Sequence, residues 1–252
     1  MNDKSIEAEI WYLFHSGFAV KTPGHFLIFD YYSDTPAGGR RSKRGLASGV
    51  INPDEIKDLD VLVFSSHSHA DHYNPVIFDW GRDIPNIRYI LSHDIKAAAK
   101  KENTLIAYPG QEYALDGISI KVLDSTDIGV AYLVDVDGLS VFHAGDLNWW
   151  HWEGEKDSEN FKMGEKYISQ IDLIKNRPID IAFVPLDPRL EKHYLLGLDY
   201  FMKNTATQIV FPMHFGDDYS VFKDIEKDGA AAGYLNKVMK ITRRGEKFEY
   251  KK

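Results

Sequence analysis

His67-Ser68-His69-Ala70-Asp71-His72 gathers three imidazoles and a carboxylate within six residues. Neutral imidazole nitrogen and carboxylate oxygen are the ligands that zinc and similar divalent ions prefer. His67 and His69, one residue apart in extended chain, point the same way and suit one ion. Asp71 and His72 follow at the turn into a helix and reach toward a second ion beside the first. Immediately before them, Asp60-Val-Leu-Val-Phe-Ser65 is a short apolar, β-branched run of the kind that forms a buried strand. Immediately after, Asn74-Pro75 offers a helix N-cap and a proline at the first helical position. The motif therefore falls at the carboxyl end of a strand, where open α/β sheets build their sites. The bland alternative is a solvated polar loop.

Two later segments add what this motif lacks. Val141-Phe-His-Ala-Gly145-Asp146 ends an apolar strand with a glycine and an acid, and a carboxylate there has lone pairs for two cations. Gln208-Ile-Val-Phe-Pro-Met-His214 is another short apolar run that ends in histidine. Each is weak alone. Their weight comes from following the first motif in order, each at a strand end.

HSHADH, HAGD and PMH, in that order, resemble the metallo-β-lactamase superfamily of metal-dependent hydrolases, and within it the branch of ascorbate-phosphate-lactonase-like enzymes. The resemblance spans nearly the whole chain. It implies an α/β (α+β) fold, a four-layer αββα sandwich forming one domain over 1–252, with metals at one rim of the two sheets. Carried over residue by residue, it gives His67 and His69 to a first metal. Asp71, His72 and His214 go to a second, and Asp146 bridges the two. The implied cofactors are two divalent ions, zinc foremost, with manganese or iron as alternatives. Most members carry a further histidine before the strand leading to the bridging acid. Here that stretch reads Leu123-Asp-Ser-Thr-Asp127-Ile-Gly-Val-Ala-Tyr132 and has none. Ser125 falls near the expected place and is a poor neutral ligand. Asp127 is the candidate replacement, and its oxygen would favour a harder ion such as manganese; a plain loop cap is the competing reading. Redox relatives typically carry a glutamate in the first motif, and Ala70 and Asp71 leave none here, which disfavours di-iron chemistry.

Composition agrees with a hydrolase on a small molecule. At 252 residues the chain can bury a large core. Its net charge of −8 argues against a general nucleic-acid surface. Cysteine is absent, which removes disulfides, thiolate ligands and a cysteine nucleophile. The start, Met1-Asn-Asp-Lys-Ser-Ile-Glu, is polar, with no apolar stretch long enough for a signal peptide or membrane span. A cytoplasmic enzyme with a small-molecule substrate is expected; homo-oligomerisation stays open.

The elements that must hold these residues read as two similar halves. Ile6 to Phe14, Phe18 to Lys21 and Phe26 to Tyr31 are expected strands, with Thr22-Pro23-Gly24-His25 as a turn. Ile87 to Leu91 is a strand leading to an Ala-rich helix near Asp94 to Lys101. Tyr113 to Leu115, Ile118 to Leu123, Val130 to Val136 and Leu139 to Phe142 form a meander, turned at Asp116-Gly117 and Asp137-Gly138. Phe161, Gly164, Ile168, Ile171 and Ile174 recur at helical spacing, followed by a strand over Ile179 to Val184. Helices near Glu191 to Lys203 and Asp218 to Asp228 complete the second half.

Several features bear on the substrate. Asn148-Trp149-Trp150-His151-Trp152 follows the candidate bridging acid, and its three tryptophans, Trp149 foremost, are expected to wall a pocket, with ordinary packing against the domain as the plainer reading. Gly38-Gly-Arg40-Arg41-Ser-Lys43-Arg44-Gly45 is a basic run, with Arg40 and Arg41 expected to draw in an anionic substrate. A solvated loop is its plainer reading. His15 and His193 lie in strand-end or loop contexts and are expected to touch substrate, whereas His25, His93, His143 and His151 read as structural or exposed. With metals bound, such a site activates water toward an ester, lactone, amide or phosphoester, and Asp71 is suited to orient the nucleophile and accept a proton. The competing classes are a phosphodiesterase or nuclease acting on nucleic acid, and a non-catalytic metal-binding relative.

Overall fold

A computed structural model describes residues 5–97 and 102–252. Thirteen strands are described: β1 (Glu7–Phe14), β2 (Gly17–Lys21), β3 (His25–Phe29), β4 (Asp60–Ser65), β5 (Ile87–Ser92), β6 (Thr104–Ala107), β7 (Glu112–Leu115), β8 (Ile118–Asp124), β9 (Val130–Val136), β10 (Leu139–His143), β11 (Pro178–Pro185), β12 (Ala206–Met213) and β13 (Lys247–Lys251). The described α-helices are α1 (Asp157–Asp172), α2 (Leu196–Asn204) and α3 (Val221–Lys227). One sheet has the order β13-β1-β2-β3-β4-β5-β6 and the other β12-β11-β10-β9-β8-β7.

The direction of the strands decides where a site can form. β1 is antiparallel to β2 and β2 to β3, whereas β3, β4, β5 and β6 run parallel. β1, β3, β4 and β5 therefore end at the same rim. In the second sheet β8, β9 and β10 alternate, and β10, β11 and β12 run parallel. There β8, β10, β11 and β12 share a direction.

The sheets face each other across one apolar core. Phe18, Phe29, Phe64, Tyr132, Phe183 and Phe211 are fully buried in it, and the Phe18 and Phe183 rings pack across the two sheets at 4.2 Å between centroids. A second cluster, including Tyr31, Ile77, Trp80 and Ile84, covers the outer face of the first sheet. The expected four-layer arrangement is present, with a difference in what makes the layers. The outer cover of the first sheet is built from 3-10 turns such as Pro75–Arg82 among the described residues. Asn74 caps that turn as expected, accepting from the Val76 N–H at 3.0 Å.

Other expectations shift by small amounts. The face of α1 that packs inward carries Asn160, Gly164, Tyr167 and Ile171, and Phe161 is 65% exposed. Gly164 and Ile171 of the expected stripe are kept, as is Ile174 just past the helix, while Asn160 and Tyr167 take the buried places expected of Phe161 and Ile168. Gly164 lies against Trp149, and a Cβ there would overlap the indole. The helix expected over Glu191 to Lys203 is instead a 3-10 turn, Pro188–His193, followed by α2, with Glu191 at φ 53° breaking the run. The helix expected over Asp94 to Lys101 extends onto 98–101, outside the described residues. Both Asp-Gly turns have positive φ at each central position, as type I′ hairpins require. Among the described residues no helix is long and apolar enough to cross a membrane.

Candidate metal centre

Every residue of the centre sits just past a strand that ends at the shared rim. His15 follows β1, Asp30 follows β3, and His67 to His72 follow β4. From the other sheet, Ser125 to Asp127 follow β8, Asp146 follows β10, Asp187 follows β11 and His214 follows β12. Three of these strand ends use a left-handed backbone at a non-glycine residue: His15 (φ 56°), Asp30 (φ 44°) and His214 (φ 68°). Each such residue costs on the order of 1–3 kcal/mol and persists where the surrounding structure fixes it, often at functional sites. Glycine is required at Gly129 and Gly145, both with positive φ, because a Cβ on either would collide with Ser66. That close approach brings the Asp146 loop against the histidine motif.

Asp146 is the hub. Its Oδ1 lies 3.2 Å from His72 Nε2 and 3.4 Å from His214 Nε2, and its Oδ2 lies 3.4 Å from His67 Nε2. His67, His72, Asp146 and His214 are nearly completely buried. His69, Asp71 and Asp127 are about half exposed and face a cleft. His69 Nδ1 is 3.8 Å from Asp127 Oδ2, and His15 Nε2 is 3.6 Å from Asp71 Oδ2. Among the described residues, donor atoms converge in four overlapping groups, which include His67-His69-Asp71, His67-His72-Asp146 and His69-Asp127-Asp146. The fourth joins His15, Asp71, His72 and His214.

These residues fit a cation. His67 Nε2, His72 Nε2 and Asp146 Oδ1 are buried and have no hydrogen-bond partner among the described residues, and an orphaned buried polar atom costs about 1–3 kcal/mol. The opposite ring nitrogens are all occupied. His72 Nδ1 bonds Asp30 Oδ2 at 2.7 Å, His67 Nδ1 meets Ser66 Oγ at 2.9 Å, and His214 Nδ1 bonds Asp187 Oδ2 at 2.9 Å. Such outer partners fix ring orientation and leave the other nitrogen to a metal. Asp30 itself accepts from the Ser66 N–H and Oγ, each at 2.7 Å.

The electrostatics say the same. Burial opposes charge on His72, but the Asp146 and Asp30 carboxylates overcome it and raise the imidazole to about 10. Burial would raise the Asp146 carboxyl, yet His72, His214 and His67 hold it well below the usual carboxylate range. Burial pushes His67 down, and the neighbouring His72 adds to the effect. The carboxylates thus draw positive charge into a buried pocket.

The structure brings His15, His67, His69, Asp71, His72, Asp127, Asp146 and His214 together. Of the missing-histidine pair, Asp127 faces the cleft, whereas Ser125 is buried and its Oγ accepts from the Asp127 N–H at 3.2 Å. Four expected substrate contacts lie elsewhere. Trp149 packs inward against Tyr167 and Tyr200 of the helical layer, in the space that Gly164 leaves. Arg40 and Arg41 are exposed on a loop outside the cleft lining, and Arg44 of that run is tied to Asp34. His193 pairs with Glu153 at 2.8 Å and packs on His151, also outside the lining. His143 is structural as expected, its Nε2 bonded to the Ser16 carbonyl oxygen at 2.8 Å.

The cleft holds about 310 Å³ and is walled by Trp150, Trp152, Met163 and Arg189 beside the centre. Of the tryptophan run, Trp150 and Trp152 line the cleft; Arg189 was not among the expected contacts. The signal available for Arg189 was its place in Pro185-Leu-Asp187-Pro-Arg189, one more strand end with an acid.

The family profile described as a beta-lactamase superfamily domain matches residues 9–160, more than half of the chain. The chain belongs to the β-lactamase superfamily. Within the superfamily it is similar to a UPF0173 metal-dependent hydrolase of Pyrococcus abyssi, at 25% identity covering 96% of this chain and 99% of that one. It is also similar to a UPF0173 metal-dependent hydrolase of Pyrococcus furiosus, at 26% identity with the same coverage. Among solved structures, a metallo hydrolase of Ignicoccus hospitalis superposes with a TM-score of 0.62 at 21% identity, covering 98% of this chain and 99% of that one. The metallo-β-lactamase fold protein YhfI of Bacillus subtilis gives 0.61 at 15% identity, over 97% and 99%. These superpositions establish the metallo-β-lactamase fold.

Proposed function

We propose that this superfamily member is a metal-dependent hydrolase acting on a small anionic ester, lactone or phosphoester. The observation that carries the reading is the set of buried donor atoms on His67, His72 and Asp146 that have no partner among the described residues, beside an open cleft that Asp146 lines. His67 and His69, with Asp127 in place of a histidine, would hold one divalent ion. Asp71, His72 and His214 would hold the second, with Asp146 shared. Zinc suits the imidazole-rich set, and the Asp127 oxygen makes manganese or iron an acceptable occupant of the first position. A divalent pair held there supplies the Lewis acidity that activates water and stabilises the developing oxyanion.

The chain's own residues do the rest. Asp71 is half exposed toward the cleft, and the adjacent His15 holds its carboxyl well below the usual range, so it stays an acceptor. It orients the attacking water by accepting its hydrogen bond. Arg189, at the cleft wall, supplies positive charge for an anionic substrate. A volume near 310 Å³ sits at the lower end of small-molecule pockets, about 300–1,000 Å³.

The test is a hydrolysis screen over phosphodiesters, lactones and carboxylate esters, with the protein reconstituted in zinc or manganese. Metal-dependent turnover of an anionic small molecule, abolished in Asp71→Asn even at metal concentrations that saturate the variant, is the expected result. Full metal occupancy with no turnover of any class would overturn the reading.

A further inference from the structure

The cleft wall beside the metal centre is as firmly held as the centre itself. Trp150 is 7% exposed, and its Nε1 donates to the Asp146 carbonyl oxygen at 2.9 Å. The Trp152 ring lies parallel to it, 5° between planes and 6.1 Å between centroids. Trp152 is 36% exposed, yet its backbone is clamped at both ends by one buried side chain. Asn160 Oδ1 accepts from the Trp152 N–H at 3.0 Å, and Asn160 Nδ2 donates to the Trp152 carbonyl at 2.9 Å. A large aromatic ring left partly open to solvent on a fixed backbone presents apolar surface with little backbone entropy left to lose when something binds it.

Arg189 completes the wall. Its guanidinium lies over the Trp152 ring at 5.9 Å, and its Nε and Nη2 grip Asp187. Nη1 has no partner among the described residues, and the side chain is 63% exposed. Asp187 also holds His214, so the guanidinium is oriented by the same carboxylate that orients a candidate ligand. One edge of the fork is thus fixed and the other faces outward beside an indole.

We infer that Trp152 and Arg189 form a recognition subsite for a flat, aryl-type group bearing an oxyanion, the non-reacting part of the substrate. This rests on the hydrolase reading for its place in catalysis but not for its binding. The aryl face lies along Trp152, and a carboxylate or phosphate oxygen pair meets the free edge of Arg189. Met163, also in the cleft wall, adds an adaptable apolar contact. The subsite selects substrates by KM, since these groups touch nothing that changes during reaction.

Calorimetric titration of the metal-loaded full-length chain with 2-naphthoate, 2-naphthyl phosphate, 2-naphthol and acetate tests this directly. Acetate reports an oxyanion on the metals alone, and naphthol the ring alone. One of the two aryl oxyanions should bind at least about tenfold tighter than both controls, and the tighter one identifies carboxylate or phosphate as the anion. Trp152→Ala should bring its affinity down to that of the control anion, and Arg189→Lys should weaken it severalfold, with metal content per chain unchanged in Trp152→Ala. Equal affinities across the four probes, or unaltered aryl oxyanion binding in Trp152→Ala, would overturn the subsite. Tight aryl oxyanion binding without hydrolysis of any ester would instead refute the hydrolase reading and leave the subsite standing.

Discussion

Asp30 accepts a 2.7 Å hydrogen bond from His72 Nδ1, and neither group is exposed to solvent. The relationship joins two strand ends of one sheet and turns the other imidazole nitrogen toward Asp146 at 3.2 Å. Asp30 also fixes Ser66, which meets His67 Nδ1. One buried carboxylate therefore sets the orientation of two candidate ligands.

Replacing Asp30 by asparagine keeps its volume and tolerates the left-handed backbone, but removes the charge that His72 bonds. Loss of such an outer partner typically costs 10–100-fold in metal affinity. Competition against a chromogenic chelator should show about that loss for Asp30→Asn, with a circular dichroism spectrum like that of the parent. Unchanged affinity would mean that His72 is oriented by other contacts.

Asp127 offers a sharper contrast with its neighbour. If its carboxylate stands in for the missing histidine, Asp127→Ala weakens one of two metal sites and leaves the fold intact. Ser125→Ala, which removes only a hydroxyl bonded to the Asp127 N–H, should change affinity far less. Metal titrations of the two variants decide it, and equal effects would reduce Asp127 to a loop cap.

The basic loop and the cleft arginine are separable. Arg40, Arg41 and Lys43 lie outside the cleft lining, so their joint replacement by serine should leave KM within about twofold at low salt. Arg189→Gln should raise KM about tenfold or more, the worth of one charge-assisted contact. Steady-state kinetics on the best substrate gives both values. A large rise for the loop variant would restore the loop as the anion trap.

At the opposite end of the sandwich, Asp137 gives a pH-dependent prediction. Its carboxylate accepts from Thr22 Oγ1 and the Gly24 N–H and pairs with His25, tying the hairpin turns of the two sheets together. Burial would raise its pKa, but these hydrogen bonds outweigh it and hold the carboxyl below its ordinary value. The folded state therefore prefers the ionised form. The stabilisation is fully present above the unfolded value of about 3.9 and disappears as pH falls through the depressed folded one. Asp137→Asn should cost about 1.5–3 kcal/mol at pH 7, with the gap to the parent closing in acid. Urea unfolding at pH 7 and below pH 4 measures both ends, and a gap independent of pH would contradict the assignment.

Much of this centre was legible in the order of its residues. HSHADH, Gly145-Asp146 and His214 each follow a clear apolar strand, and the structure brings all of them to one rim. The supporting shell was not legible, because Asp30 and Asp187 look like ordinary turn acids until the sheets are assembled. Trp149 and Trp150 are adjacent, and only the packing of α1 decides which turns inward. The basic run invited an electrostatic role on composition alone, while the guanidinium that reaches the cleft, Arg189, stands isolated in the chain. The strands β6 and β13 escaped notice because each is short and, in β13, charged residues alternate with aromatic ones at a sheet edge.

The proposal at the centre of this account is a site for two divalent ions, with Asp146 the ligand that they would share. The most direct measurement is elemental analysis of the chain and of Asp146→Ala after loading with zinc or manganese and removal of free metal. The account predicts about two ions per parent chain, and a larger loss in Asp146→Ala than in His67→Ala, His72→Ala or His214→Ala, because the acid serves both ions. A parent chain that retains no metal after loading would contradict it.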